Sequence, residues 1–106
     1  MPKFLWKASY TISGAKGVAS GGGSARRDAV KRATESLGGT VEAFYFAFGE
    51  ADVYVIVDLP DNESAIALAL AVNSSGGTTL ETVSLLTAQE VDAAAQRSVD
   101  YRAPGG

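Results

Sequence analysis

Residues 41–59 read VEAFYFAF, GEAD, VYVIVDL: two β-rich runs, Val41–Phe48 and Val53–Leu59, joined by Gly49-Glu50-Ala51-Asp52. Aromatic and β-branched residues dominate both runs, and a four-residue connection containing glycine suits an antiparallel hairpin. Side chains alternate between the two faces of a strand, so the length of that connection decides which residues share a face. With Phe48 opposite Val53, Phe44, Phe46 and Phe48 lie with Val53, Val55 and Val57, while Ala43, Tyr45, Ala47, Tyr54, Ile56 and Asp58 lie on the other side. A connection of odd length would mix the two sets, and an even one keeps an apolar side distinct from a tyrosine-bearing side.

Upstream, Phe4–Thr11 alternates in the same way, with Phe4, Trp6, Ala8 and Tyr10 on one face and Leu5, Lys7, Ser9 and Thr11 on the other, which predicts a first strand. Ser13-Gly14-Ala15-Lys16-Gly17 and Gly21-Gly22-Gly23 break the pattern and leave room for a single helical turn around Val18. Ser24 is placed to cap an amphipathic helix over Ala25–Leu37, whose apolar side carries Ala29, Val30, Ala33 and Leu37 and which Gly38-Gly39 closes. Downstream, Pro60-Asp61-Asn62 ends the hairpin, and Asp61 or Asn62 caps a second helix containing the Ala- and Leu-rich Ala65–Val72, which Asn73–Gly77 closes. Thr78–Leu86 predicts a fourth strand. Thr87 and Glu90 form a capping box for a short helix to about Arg97, and Arg102–Gly106 is loose surface chain.

The order β-α-β-β-α-β-α is an α+β, ferredoxin-like split βαβ arrangement with an added C-terminal helix, one domain over residues 1–106. Two crossover helices cover one face of the sheet and leave the other bare. That bare face carries Leu5, Ala43, Tyr45, Tyr54, Ile56 and Val83 or its neighbours, too apolar to rest in water. Pairing with a second copy, as a homodimer or higher oligomer, is therefore expected.

Composition narrows the function classes. Apolar residues at 46% and charged residues at 20% of 106 describe a globular chain. Nine basic against 12 acidic residues give a net charge of -3 and no positive field for nucleic acid. The absence of Cys and His removes disulfides, thiolate and Ser-His nucleophiles and the usual transition-metal ligands, so neither a metal nor a cofactor is expected. Lys7 interrupts the N-terminal apolar run, and Ala65–Val72 falls far short of the ~18 residues of a membrane helix. A cytoplasmic protein without membrane contact is the expectation.

The run GGGSARRDAVKRATESLGG, followed by TVEAFYFAFGEADVYVIVDLPDNESAIALALAVNSSGG, resembles the bacterial GYD family, and the likeness extends from about Phe4 to Pro104. The resemblance implies a dimeric α+β barrel and no particular activity, since the family is essentially uncharacterised in function. The family's Gly-Tyr-Asp signature would fall at the hairpin turn; Gly49 and Asp52 match it, and Ala51 stands where the tyrosine would be.

Lys7, Ser9, Tyr45, Tyr54 and Asp58 project from the bare face. In a paired barrel they would line an interior for a small molecule, with Tyr or Lys as donor or proton carrier. More simply, the same residues suit an interface in which the tyrosine hydroxyls and the lysine head reach water at the rim. Gly21-Gly22-Gly23 with Ser24, Arg26 and Arg27 invites an anion-binding reading, although no phosphate-loop motif follows and an ordinary capped helix with solvated arginines accounts for them too. Asp52, Asp58, Glu42 and Glu81 lack calcium-loop spacing and read as solvated strand ends. Trp6 and the three phenylalanines of the second strand read as core.

The expected function is a homo-oligomeric α+β barrel binding a small organic or anionic ligand between its sheets. The alternatives are a cofactor-independent oxygenase or isomerase using Tyr45, Tyr54 or Lys7, and a self-assembling or protein-interaction subunit without a pocket.

Overall fold

The computed structural model describes residues 1–106. The elements are β1 (Lys3–Tyr10), α1 (Ile12–Gly21), α2 (Gly23–Ser36), β2 (Thr40–Phe46), β3 (Val53–Asp58), α3 (Asn62–Ser74), β4 (Thr78–Leu85) and α4 (Ala88–Ala95). The four strands form one antiparallel sheet in the order β2-β3-β1-β4, the ferredoxin-like α+β topology. Alternation in β1 and β3 turns Phe4, Trp6, Ala8, Val53, Val55 and Val57 to one face, where Leu59 and Ala65 complete the buried core and Val30, Leu37 and Leu68 pack against it. Thr34 is also fully buried; its hydroxyl donates to the Val30 carbonyl at 2.8 Å, which satisfies the polar group within its own helix.

The segment expected to hold one helical turn is the ten-residue helix α1. Thr11 caps it by accepting from the Gly14 N–H, and Thr11 also donates from its hydroxyl to the Gly76 carbonyl and from its N–H to the Gly77 carbonyl. A Cβ on Gly14 would collide with the Gly77 carbonyl. Glycine here permits a close approach between α1 and a loop and does not break the helix. Helix α1 packs against α2 and the end of β1, while the residues that pack on the core from helices come from α2 and α3. Ser24 is not the cap of α2. Gly22, at φ +86°, ends α1 and begins α2, so Ser24 falls inside the first turn.

The hairpin closes with Phe46, not Phe48, opposite Val53, over a connection of residues 47–52 in which the Ala47 N–H donates to the Asp52 carbonyl at 2.8 Å. A slip of two residues preserves parity, so the two faces carry the residues expected. Phe48 is left fully exposed, and Phe46 is partly exposed, edge-on to Phe44 at 5.3 Å. Of the three phenylalanines expected in the core, Phe44 alone packs against it. A bulge between Val41 and Ala43 displaces Glu42 from the ladder.

Beyond β4 the chain leaves the domain. The capping box of α4 is present and the helix ends at Ala95, short of Arg97. Every residue from Leu86 to Gly106 is exposed. The radius of gyration is 16.9 Å, against about 13 Å for a compact chain of this length. No helix is long and apolar enough to cross a membrane.

Candidate functional site

No helix covers the second face of the sheet, and strand register sorts its side chains into rows. Glu81, Lys7, Tyr54 and Tyr45 stand side by side across β4, β1, β3 and β2. The next row is apolar: Val83, Leu5, Ile56 and Ala43. The third is Leu85, Lys3, Asp58 and Thr40, and at the opposite end Ser9 pairs with Thr79. The face is thus an apolar band with a polar row on either side.

The charges on these rows are largely matched within the sheet. Lys7 Nζ lies 3.9 Å from Glu81 Oε2. Lys3 Nζ donates to Asp58 Oδ1 at 2.9 Å and Oδ2 at 3.1 Å, and to Glu42 Oε2 at 3.2 Å. Hydrogen bonds to Asp58 and then Glu42 hold the Lys3 ammonium above the ordinary lysine pKa. Asp52 accepts from the Tyr10 N–H at 2.8 Å, while its own N–H donates to the Ala8 carbonyl at 2.8 Å. That pair of bonds ties the hairpin connection to the end of β1. Asp52 and Asp58 are therefore engaged and are not the freely solvated strand ends expected. No group of His, Cys, Asp and Glu comes together as a metal site.

Of the five pocket residues named from the sequence, the fold brings Lys7, Tyr54 and Tyr45 into one row. Ser9 lies beyond them, where a depression of about 220 Å³ is lined by Lys7, Ser9, Glu50, Ala51, Thr79 and Glu81. Asp58 sits near the other end of β3, held by Lys3. The anion candidates separate. Ser24 and Arg27 border a shallow depression with Phe44 and Phe46, and Arg27 Nε donates to Asp28 Oδ1 at 3.3 Å. Arg26 turns the other way, into the space between α2 and the sheet beside Tyr10.

That space is what the sequence reading missed. Between α2, α3 and the covered face of the sheet is a hollow of about 70 Å³ that includes Trp6, Tyr10 and Arg26 among its lining residues. Trp6 is 1% exposed and its indole Nε1 has no hydrogen-bond partner. The alternation of β1 already places Tyr10 and Trp6 on the covered face, and a buried indole N–H needs an acceptor. Those two facts were the available signal.

The sequence matches the GYD domain over residues 4–95. No curated protein and no solved structure matches it.

Proposed function

The chain belongs to the GYD domain family, and from that premise we propose that it is a homo-oligomeric binding module in which two copies pair their open sheet faces and hold a small organic ligand between them. One observation carries this reading: the band Val83, Leu5, Ile56 and Ala43 crosses all four strands with no helix over it. A continuous apolar band on a soluble domain marks an interaction surface, and a sheet face flanked by polar rows is complementary to a rotated copy of itself. The row beside it supplies one ammonium and two phenol hydroxyls, so the enclosed ligand is one that accepts hydrogen bonds, with Glu81 left to balance Lys7. The exposed apolar residues of the C-terminal arm, Leu86, Val91, Val99 and Tyr101, support the same reading, because a second copy gives them a surface to cover.

Sedimentation of the wild type and of Ile56→Arg tests the pairing. A guanidinium at the centre of the apolar band would be buried opposite its own copy, so the variant is expected to run as a folded monomer while the wild type is a dimer. A wild type that is monomeric at high micromolar concentration overturns the proposal. Thermal-shift screening against a metabolite panel then identifies ligands, and Lys7→Ala and Tyr54→Phe are expected to reduce the shift. Unchanged binding in both variants removes that row from the account.

A further inference from the structure

We propose a second binding site on the covered side of the sheet: the hollow beneath α2 and α3 takes a short aliphatic carboxylate, with Arg26 at its mouth and the Trp6 indole inside. The walls set the apolar half of the ligand, since Phe44, Val55, Leu68, Val72 and Leu80 contribute hydrocarbon on every side. The polar groups set the other half. Tyr10, Thr78 and Arg26 are the residues with polar side-chain groups on that lining besides Trp6, and no carboxylate lines the hollow. Burial raises the pKa of the Tyr10 phenol, the charge and hydrogen bonding of Arg26 lower it, and the Asp52 carboxylate raises it; the net rise keeps the phenol protonated at neutral pH.

One buried donor of the hollow's walls has no protein partner, and Arg26 has no carboxylate partner. Trp6 Nε1 is buried without an acceptor, which native interiors rarely tolerate. Arg26 is absent from the ion pairs of the chain, which use Lys3, Lys7 and Arg27 as their cations. A carboxylate at Arg26 would neutralise its charge, with Tyr10 on the same lining as a second hydrogen-bonding group. A volume of about 70 Å³ corresponds to roughly two waters, or an aliphatic tail of about three carbons.

A route in is also present. An outer vestibule of about 320 Å³ is lined by Gly14, Gly17, Gly21, Gly22 and Gly77, and it shares Arg26, Ala29 and Thr78 with the hollow. Arg26 thus stands between solvent and the inner space. The glycine-rich segment that the open-face reading leaves unused becomes the outer wall of this site, which owes nothing to pairing of the sheets.

The chain has a single tryptophan, so its fluorescence and its indole N–H resonance report directly on the hollow. Titration of the full chain with sodium propanoate, butanoate and hexanoate is expected to move the indole resonance saturably, most strongly for butanoate, whereas butylammonium at equal ionic strength is inert. Arg26→Gln should weaken butanoate at least about tenfold, as loss of a charge-assisted contact implies. Trp6→Phe keeps an aromatic ring but removes both the indole donor and the reporter, so its butanoate affinity is measured by calorimetry, and it should be weaker as well; if the variant folds poorly, Arg26→Gln at the more open mouth decides. Ile56→Arg, on the far face, should leave butanoate binding intact. The proposal is overturned if no acid gives a saturable shift, if Arg26→Gln binds as the wild type does, or if Ile56→Arg abolishes the shift, which would place the acid between paired sheets.

Discussion

Gly39 sits where α2 hands over to β2, and a Cβ there would run into the Asp58 carbonyl while coming 2.6 Å from Leu59 Cδ2 and 3.2 Å from Thr34 Cγ2. Leu59 and Thr34 are both fully buried, so neither can swing aside, and the Gly39 N–H donates to the Thr34 carbonyl at 3.1 Å, which pins the backbone. Gly39→Ala is expected to destabilise the fold by about 1–3 kcal/mol, the cost of overpacking a filled site. Gly17 is the opposite case: it lies inside α1, and an added Cβ meets nothing within 4 Å. Gly17→Ala should stabilise by about 0.5–1 kcal/mol, because alanine loses less backbone entropy in a helix. Urea denaturation of the two variants should give shifts of opposite sign, and equal signs would show that α1 is not helical at Gly17. Nothing in the letters separates these two glycines. Only the distance to residues remote in sequence does, which is also why the Gly14 approach to Gly77 went unread.

At the scale of elements, α4 is the one whose local signals are strongest and whose packing is weakest. Thr87 Oγ1 accepts from the Glu90 N–H at 3.1 Å and Glu90 Oε1 accepts from the Thr87 N–H at 3.0 Å, yet all eight residues of the helix are exposed. Isolated helices shorter than about 12 residues are marginal in water, so the cap must supply much of what keeps α4 wound. Thr87→Ala should cost that helix about 1 kcal/mol. Amide exchange is the measurement: protection over residues 91–95 should fall while that of β1 and β3 is unchanged, and a loss shared with the sheet would make α4 part of the core. The capping box was legible because its partners, Thr87 and Glu90, stand three positions apart. The faces of the hairpin were legible because they depend on parity, and the two-residue slip was not, because parity is blind to it. Helix α1 was hidden for the reason opposite to α4: its cap residue Thr11 is held to Gly76, 65 positions away. The same division governs the sites. Alternation alone set the row Lys7, Tyr54 and Tyr45, whereas the hollow depends on how α2 and α3 stand over the sheet, and that is a property of packing.

For the whole molecule the question is why a domain with one core is as long as 56 Å. The excess comes from residues 86–106, which extend from the domain with every side chain exposed. Ile66 and Leu70, one turn apart on the outside of α3, are exposed as well. A sheet face of four strands spaced about 4.8 Å apart and about 26 Å long offers roughly 500 Å² of footprint, short of the ~800 Å² per partner that stable dimers bury. Pairing through the sheets alone therefore falls below what a durable dimer requires, and an arm laid on the partner would supply the difference. A chain ending at Leu86 is expected to lose only the helical circular dichroism of α4 and to keep cooperative urea unfolding, since none of the core residues lies beyond it. Its dimer should weaken by about 100-fold, equivalent to roughly 2.7 kcal/mol of lost association energy. Sedimentation across a concentration series measures that constant directly. An unchanged dissociation constant would mean that the sheets suffice and the arm serves something other than a second copy, whereas a truncated chain that dissociates but still binds butanoate would separate assembly from the hollow beneath the helices.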